Sequence, residues 1–229
     1  GDEGSGYGCE DPRITKIGDR LYMCYTAYDG EGPTRVALTS IEVNNFLQRK
    51  WNWETPVLIS PPGQSDKNSC ILEDKIEGRY AVLHRFNASI WIDFVEDLNF
   101  SEGKWIGGEI LLNPRDNSWD SEKIGIGGPP IRTDDGWILI YHGLSGQDKK
   151  YRLSAALLAL DEPGRVLSRL EYPILEPIAE YENRGLRHGT VFACGNVVLN
   201  GKIFVYYGGA DQYVCVASVG LADLLRELT

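Results

Sequence analysis

Residues 136–146 read GWILIYHGLSG, a glycine turn running straight into an apolar and aromatic strand. The same shape recurs at 18–30 (GDRLYMCYTAYDG), 78–86 (GRYAVLHRF) and 201–211 (GKIFVYYGGAD), with the turn glycines 60, 58 and 65 residues apart. An apolar stretch precedes each copy, at Pro12–Ile17, Cys70–Ile76, Ile131–Arg132 and Val191–Leu199. A third follows each, at 35–41, 89–95, 153–160 and 213–220, and in three copies a short stretch ending at proline comes next, at 56–61, 109–114 and 172–177. Short strands separated by turn signals predict all-β structure. A unit of about four strands repeated along the chain predicts a β-propeller, because one such unit cannot bury both its faces alone. The only helical pattern is 221–228, with Leu221, Leu224, Leu225 and Leu228 on one face.

Composition bounds the function. The 229 residues are 42% hydrophobic and 24% charged, ordinary for a packed globular chain. Lys and Arg total 23 against 33 Asp and Glu, a formal charge of −10. That argues against a general nucleic-acid binder, which needs a basic face, and leaves room for a local cationic pocket. No apolar run approaches the ~18 residues of a membrane span, so no membrane partner is expected. The five cysteines form no CxxC pair and read as free thiols of a reducing, cytoplasmic compartment. The segment 125–130, GIGGPP, lacks the Lys-Ser/Thr of a phosphate-binding loop and reads as a turn into a strand. No metal-ligand spacing occurs, and no metal is expected.

Two features carry chemistry. Counted from each turn glycine, the sixth or seventh position holds Tyr25, His84 with Arg85, His142 and Tyr207, polar or aromatic groups that suit a built site better than a core. The string 8–14, GCEDPRI, sets Glu10, Asp11 and Arg13 around a proline at the start of a strand. In a regular strand Glu10 and Asp11 point to opposite faces, so one is expected at a site and the other on Arg13 or backbone. Lys67, Arg85, Lys123 and His142, with Tyr141, come from three repeats, and a convergence of such groups suits an anion such as phosphate. Taken singly, each basic group reads first as a surface salt bridge, and the case for a site rests on their shared repeat positions.

These motifs, in order, resemble glycoside hydrolase family 130, the five-bladed propellers that include mannoside phosphorylases. The resemblance rests on 8–14, on 66–68 (DKN) with 77–85 (EGRYAVLHR), on 119–143 (WDSEKIGIGGPPIRTDDGWILIYHG), on 170–177 with 181–182, and on 191–198 with 205–211. It implies that Asp11 is the general acid, acting through a sugar hydroxyl. It implies a phosphate site at Lys67, Arg85, Lys123, Tyr141 and His142, and sugar contacts at Asp211, with Glu10, Arg13 and Asn68 as neighbours. Breaking a glycosidic bond needs an acid for the leaving oxygen, and an inverting hydrolase needs a second carboxylate as base. A phosphorylase replaces that base with cations that hold the phosphate in line. One acid with several cations therefore favours phosphorolysis of β-mannosides to mannose 1-phosphate, with inorganic phosphate as co-substrate and no cofactor. Hydrolysis and non-catalytic sugar binding are the alternatives, and homo-oligomerisation is left open. The chain is read as one propeller domain, 1–229, about one blade short of the family at its N-terminus.

Overall fold

The computed structural model describes residues 7–100 and 103–229. In chain order the elements are β1 (Gly8–Ile17), β2 (Arg20–Tyr28), β3 (Arg35–Glu42), α1 (Val43–Leu47), β4 (Val57–Leu58), β5 (Asp66–Ile76), β6 (Arg79–Phe86), β7 (Ser89–Val95), β8 (Glu109–Leu112), β9 (Lys123–Ile126), β10 (Ile131–Arg132), β11 (Trp137–Leu144), β12 (Tyr151–Leu158), β13 (Val166–Arg169), α2 (Glu180–Asn183), β14 (Val191–Leu199), β15 (Lys202–Gly209), β16 (Tyr213–Gly220) and α3 (Leu221–Leu228). They make four sheets: β1-β2-β3-β4, β5-β6-β7-β8, β10-β11-β12-β13 with β9 also on β11, and β14-β15-β16. The turn glycines Gly18, Gly78, Gly136 and Gly201 all hold positive φ, as tight reversals require. Each of the four sequence repeats is thus one sheet.

The chain divides into two compact units, residues 1–87 with 91–109 and residues 88–90 with 110–229. In the first, Cys24, Val36, Ile59, Ile71, Val82 and Ile106 form the core. In the second, the core joins Ile140 and Leu153 to Val191 and Ile203. The expected C-terminal helix is present, and it closes that core with Leu224 and Leu228. All eight residues of β11 are buried, so it reads as a continuous apolar run rather than an alternating one.

One strand lies elsewhere than expected. The outer strand of the third sheet is Val166–Arg169, not 172–177. Pro173 and Pro177 cannot donate to a ladder, and the segment keeps only one bridge, Leu175 to Leu153. The 125–130 segment does turn out of β9, but into a two-residue strand in which Ile131 is half-buried and Arg132 exposed. The five cysteines are free thiols.

A buried ion pair ties the second sheet together. His84 Nδ1 lies 2.7 Å from Asp66 Oδ2 and Nε2 lies 2.8 Å from the Gly107 carbonyl, with both side chains nearly inaccessible. Both ring nitrogens face acceptors, so the geometry calls for the imidazolium. Burial pulls the His84 pKa down, but the Asp66 carboxylate and the Gly107 carbonyl outweigh it and leave it above its ordinary 6.5. A raised folded-state value means the stabilisation is fully present below the unfolded value and is lost as pH climbs through the folded one. Urea midpoints should therefore fall as pH rises above the ordinary 6.5 and His84 loses its proton. His84→Phe should cost about 3–5 kcal/mol and flatten that dependence, because Asp66 is left buried without its partner. An unchanged pH slope in the variant would contradict the assignment.

Candidate active site

The first unit holds Glu10, Asp11, Arg13, Lys67, Asn68 and Arg85, and brings them together through two matched irregularities. In β1, Glu10 pairs with Thr26 and Arg13 with Cys24, so Asp11 and Pro12 stand against Tyr25 alone. In β5, Lys67 pairs with Arg85 and Cys70 with Leu83, so Asn68 and Ser69 stand against His84 alone. Each is a β-bulge, which inserts a residue and re-aims side chains. The leading residues, Asp11 and Asn68, have φ of 58° and 51°. This left-handed region costs a non-glycine residue about 1–3 kcal/mol, least for Asp and Asn.

The two bulges meet. Asn68 Nδ2 donates to Asp11 Oδ2 at 2.8 Å, and the buried Arg13 donates through Nη1 to the Asp11 carbonyl at 2.8 Å. Glu10 forms an ion pair with Lys67. The expectation that Glu10 and Asp11 point apart is corrected: both carboxylates reach β5, to Lys67 and Asn68 in turn, because the bulge breaks the strict alternation. Lys67 and Arg85 are directly opposite across the ladder, which puts two cations on one face. The chain neighbours of Asp11, Glu10 and Pro12, line a cleft of about 630 Å³ with Cys9, Met23, Tyr25 and Trp53; Asp11 itself is not in its lining. Aromatic faces suit a pyranose, which presents C–H faces.

The second unit holds Lys123, Tyr141, His142 and Asp211. Lys123 opens β9 with its ammonium 5.9 Å from the Tyr151 ring centroid. His142 is buried, its ring 4.1 Å from Phe192 and 5.7 Å from Tyr151 between centroids. Asp211 is exposed on the loop between β15 and β16, at φ 53°. Tyr141 sits in a buried polar cluster. Its hydroxyl donates to Asp120 Oδ2 at 3.1 Å and accepts from Arg169 Nε at 3.0 Å. Burial keeps the phenol above its ordinary 10.0, hence neutral. In this arrangement its proton goes to Asp120, and the contact braces β11.

Asp120 lies in the 119–143 string but is not among the site residues expected from the sequence. It is fully buried and held by Arg115 at 2.9 Å and Arg169 at 2.7 Å. The repeat-offset pattern is also mixed in meaning. Tyr25 lines the cleft, but His84 is spent on Asp66, and Tyr207 donates to Glu182 at 2.7 Å. The Glu182 carboxylate in turn accepts from the Ile178 and Ala179 amides.

The sequence profile described as β-1,4-mannooligosaccharide phosphorylase, that of glycoside hydrolase family 130, matches residues 1–228. The chain belongs to this family. Among family 130 relatives, a 1,2-β-oligomannan phosphorylase of Thermoanaerobacter sp. is 40% identical over 95% of this chain and 70% of its own length. The solved structure of β-1,2-mannobiose phosphorylase from Listeria innocua, in complex with β-1,2-mannobiose, is 32% identical with a TM-score of 0.83, over 99% of this chain and 65% of that one. Another family 130 structure, 26% identical with a TM-score of 0.78, covers 93% of this chain and 65% of its own. It is described with glycoside hydrolases that target β-1,2 mannosidic linkages in Candida mannan. The fold class is therefore all-β, a β-propeller. The chain spans about two thirds of the length of these family 130 proteins.

The place of Tyr141 is testable within family 130 chemistry. Tyr141→Phe should lower unfolding stability by about 1–2 kcal/mol, since Asp120 and Arg169 both lose a partner in a buried cluster. A variant of unchanged stability with weakened phosphate binding would instead make Tyr141 a direct ligand.

Proposed function

We propose that this chain carries out inverting phosphorolysis of β-mannosides, with Asp11 as general acid. The observation that supports it best is the cluster in the first unit: Asp11 held at a strained bulge by Asn68, one ladder position from the paired cations Lys67 and Arg85. In the proposed step the anomeric carbon leaves the glycosidic oxygen and bonds to a phosphate oxygen. The departing oxygen takes a proton derived from Asp11, either directly or through a sugar hydroxyl. Phosphate is already a nucleophile, so the site must supply cations rather than a base. The neighbouring carboxylate, Glu10, is occupied by Lys67 and is not arranged as a base for water. The same anion-binding role is proposed for Lys123 and His142 of the second unit, with Tyr141 bracing the strand that carries His142. Asp211, Arg13 and Glu10 are proposed to order the sugar.

The linkage favoured is β-1,2, because the relative and the mannobiose complex described above are both named for it. Hydrolysis is the second reading, favoured by the family 130 structure described with hydrolases. A cytoplasmic location is proposed from the free thiols, and no helix among the described residues is long and apolar enough to cross a membrane.

Incubating the chain with β-1,2-mannobiose should yield mannose 1-phosphate and mannose only when phosphate is present. Asp11→Asn should reduce that turnover by about 10²–10⁴-fold, the usual worth of a general acid. Mannose release that ignores phosphate would replace phosphorolysis with hydrolysis, and binding without turnover in either medium would leave a sugar-binding module.

A further inference from the structure

Tyr151, at the start of β12, gathers two cations on one buried ring. The Arg187 guanidinium lies 4.4 Å from its centroid and the Lys123 ammonium 5.9 Å. The ring is 4% exposed and is fixed edge-on by Phe192 at 5.4 Å and by His142 at 5.7 Å. An aromatic face attracts a cation, but two cations sharing one ring repel each other. Among the described residues, neither Lys123 nor Arg187 has a carboxylate within ion-pair distance. In a chain with 33 acidic residues, two half-buried cations against one ring, without an acid on either, make a place where an anion would be stabilised.

The loop that carries Arg187 is fixed on both sides of it. The Arg187 amide donates to the Ala210 carbonyl at 3.0 Å, and the Tyr151 amide donates to the Gly189 carbonyl at 2.9 Å. Gly189 holds φ of 66°, and a Cβ there would lie 2.6 Å from Lys150 Cγ, so a glycine is needed for the loop to lie against β12. Between these anchors, His188 Nδ1 donates to the Asn183 carbonyl at 2.7 Å. Arg187 is therefore placed by its backbone rather than left to wander. A guanidinium carries its N–H donors in a planar fork that matches two oxygens of one phosphate, and the ring contact consumes none of them.

We infer that Arg187 is a phosphate-binding residue that acts with Lys123 across the Tyr151 ring. The identity of the anion rests on the phosphorolytic reading above; the convergence of the two cations does not.

The test uses the whole chain and inorganic phosphate. Arg187→Gln should raise the KM for phosphate about tenfold or more, the worth of a lost bidentate ionic contact. The mannoside KM should hold within about twofold, and Arg187→Lys should recover part of the loss by restoring the charge without the fork. Arg184→Gln, on the same loop but paired with Glu180, should change neither constant. Phosphate should also raise the melting temperature of the unmodified chain and raise that of Arg187→Gln less. An unchanged phosphate KM in Arg187→Gln, with phosphate-dependent turnover intact, overturns the inference and spares the proposed function. Phosphate-independent mannose release overturns the proposed function instead. Arg187 is then judged by melting alone: a phosphate shift lost in Arg187→Gln upholds the anion site, and equal shifts overturn it.

Discussion

The hydrogen bond from Asn68 to Asp11 joins two bulges, and the candidate site of the first unit depends on both being there. A regular β1 would send Glu10 and Asp11 to opposite faces and leave Asn68 without its acceptor. One extra residue in each strand brings the equivalent positions of neighbouring sheets within 2.8 Å. The third sheet departs at the corresponding place, where Ile126 pairs with Tyr141 and Ile131 with Ile138, so that residues 127–130 stand against two partners. The fourth shifts register between Ala193 and Gly195. The innermost strands thus share a device that interrupts the ladder, frees backbone from pairing and turns side chains out of alternation. Strain at Asp11 is held by what surrounds it: Arg13 on its carbonyl, Asn68 on its carboxylate, and Thr15 anchored to the Ile71 carbonyl at 2.7 Å.

Buried carboxylates hold the remaining framework. Asp66 meets His84, Asp120 meets Arg115 and Arg169, and Glu182 meets Tyr207 and two amides. Each is nearly or fully inaccessible, where an ionised group is tolerated only when paired. Lys67, paired with Glu10, faces Arg85 across a ladder in one unit, and Lys123 and Arg187 both lie against one ring in the other. The net charge of −10 therefore says little about the local field at these groups. What decides the field is which acids are already committed to internal partners.

Glycine turns at near-constant spacing, each followed by an apolar strand, were enough to determine four repeated sheets, since a turn needing positive φ and a buried strand each leave a mark in residue type. The C-terminal helix was equally legible in four leucines on one face. The GCEDPRI string stood out as two acids and a base around a proline at a strand start, and the family resemblance singled out Asp11 within it. The segment 172–177 misled because its apolar residues match a strand while its prolines forbid the ladder. Only the tertiary structure decided where the side chains go. Bulges follow from cross-strand register, so Asp11 meeting Asn68, 57 positions on, has no local signature. Asp120 carried no sign of its role, because its arginines lie 5 and 49 positions away. Tyr141 and Tyr207 carry the residue type of a ligand contact, but their protons are taken by carboxylates that the fold brings in. Arg187 was one more loop cation until Tyr151 was placed beneath it. Residue type sets what a group can do, and burial and partners set which of those things remain available.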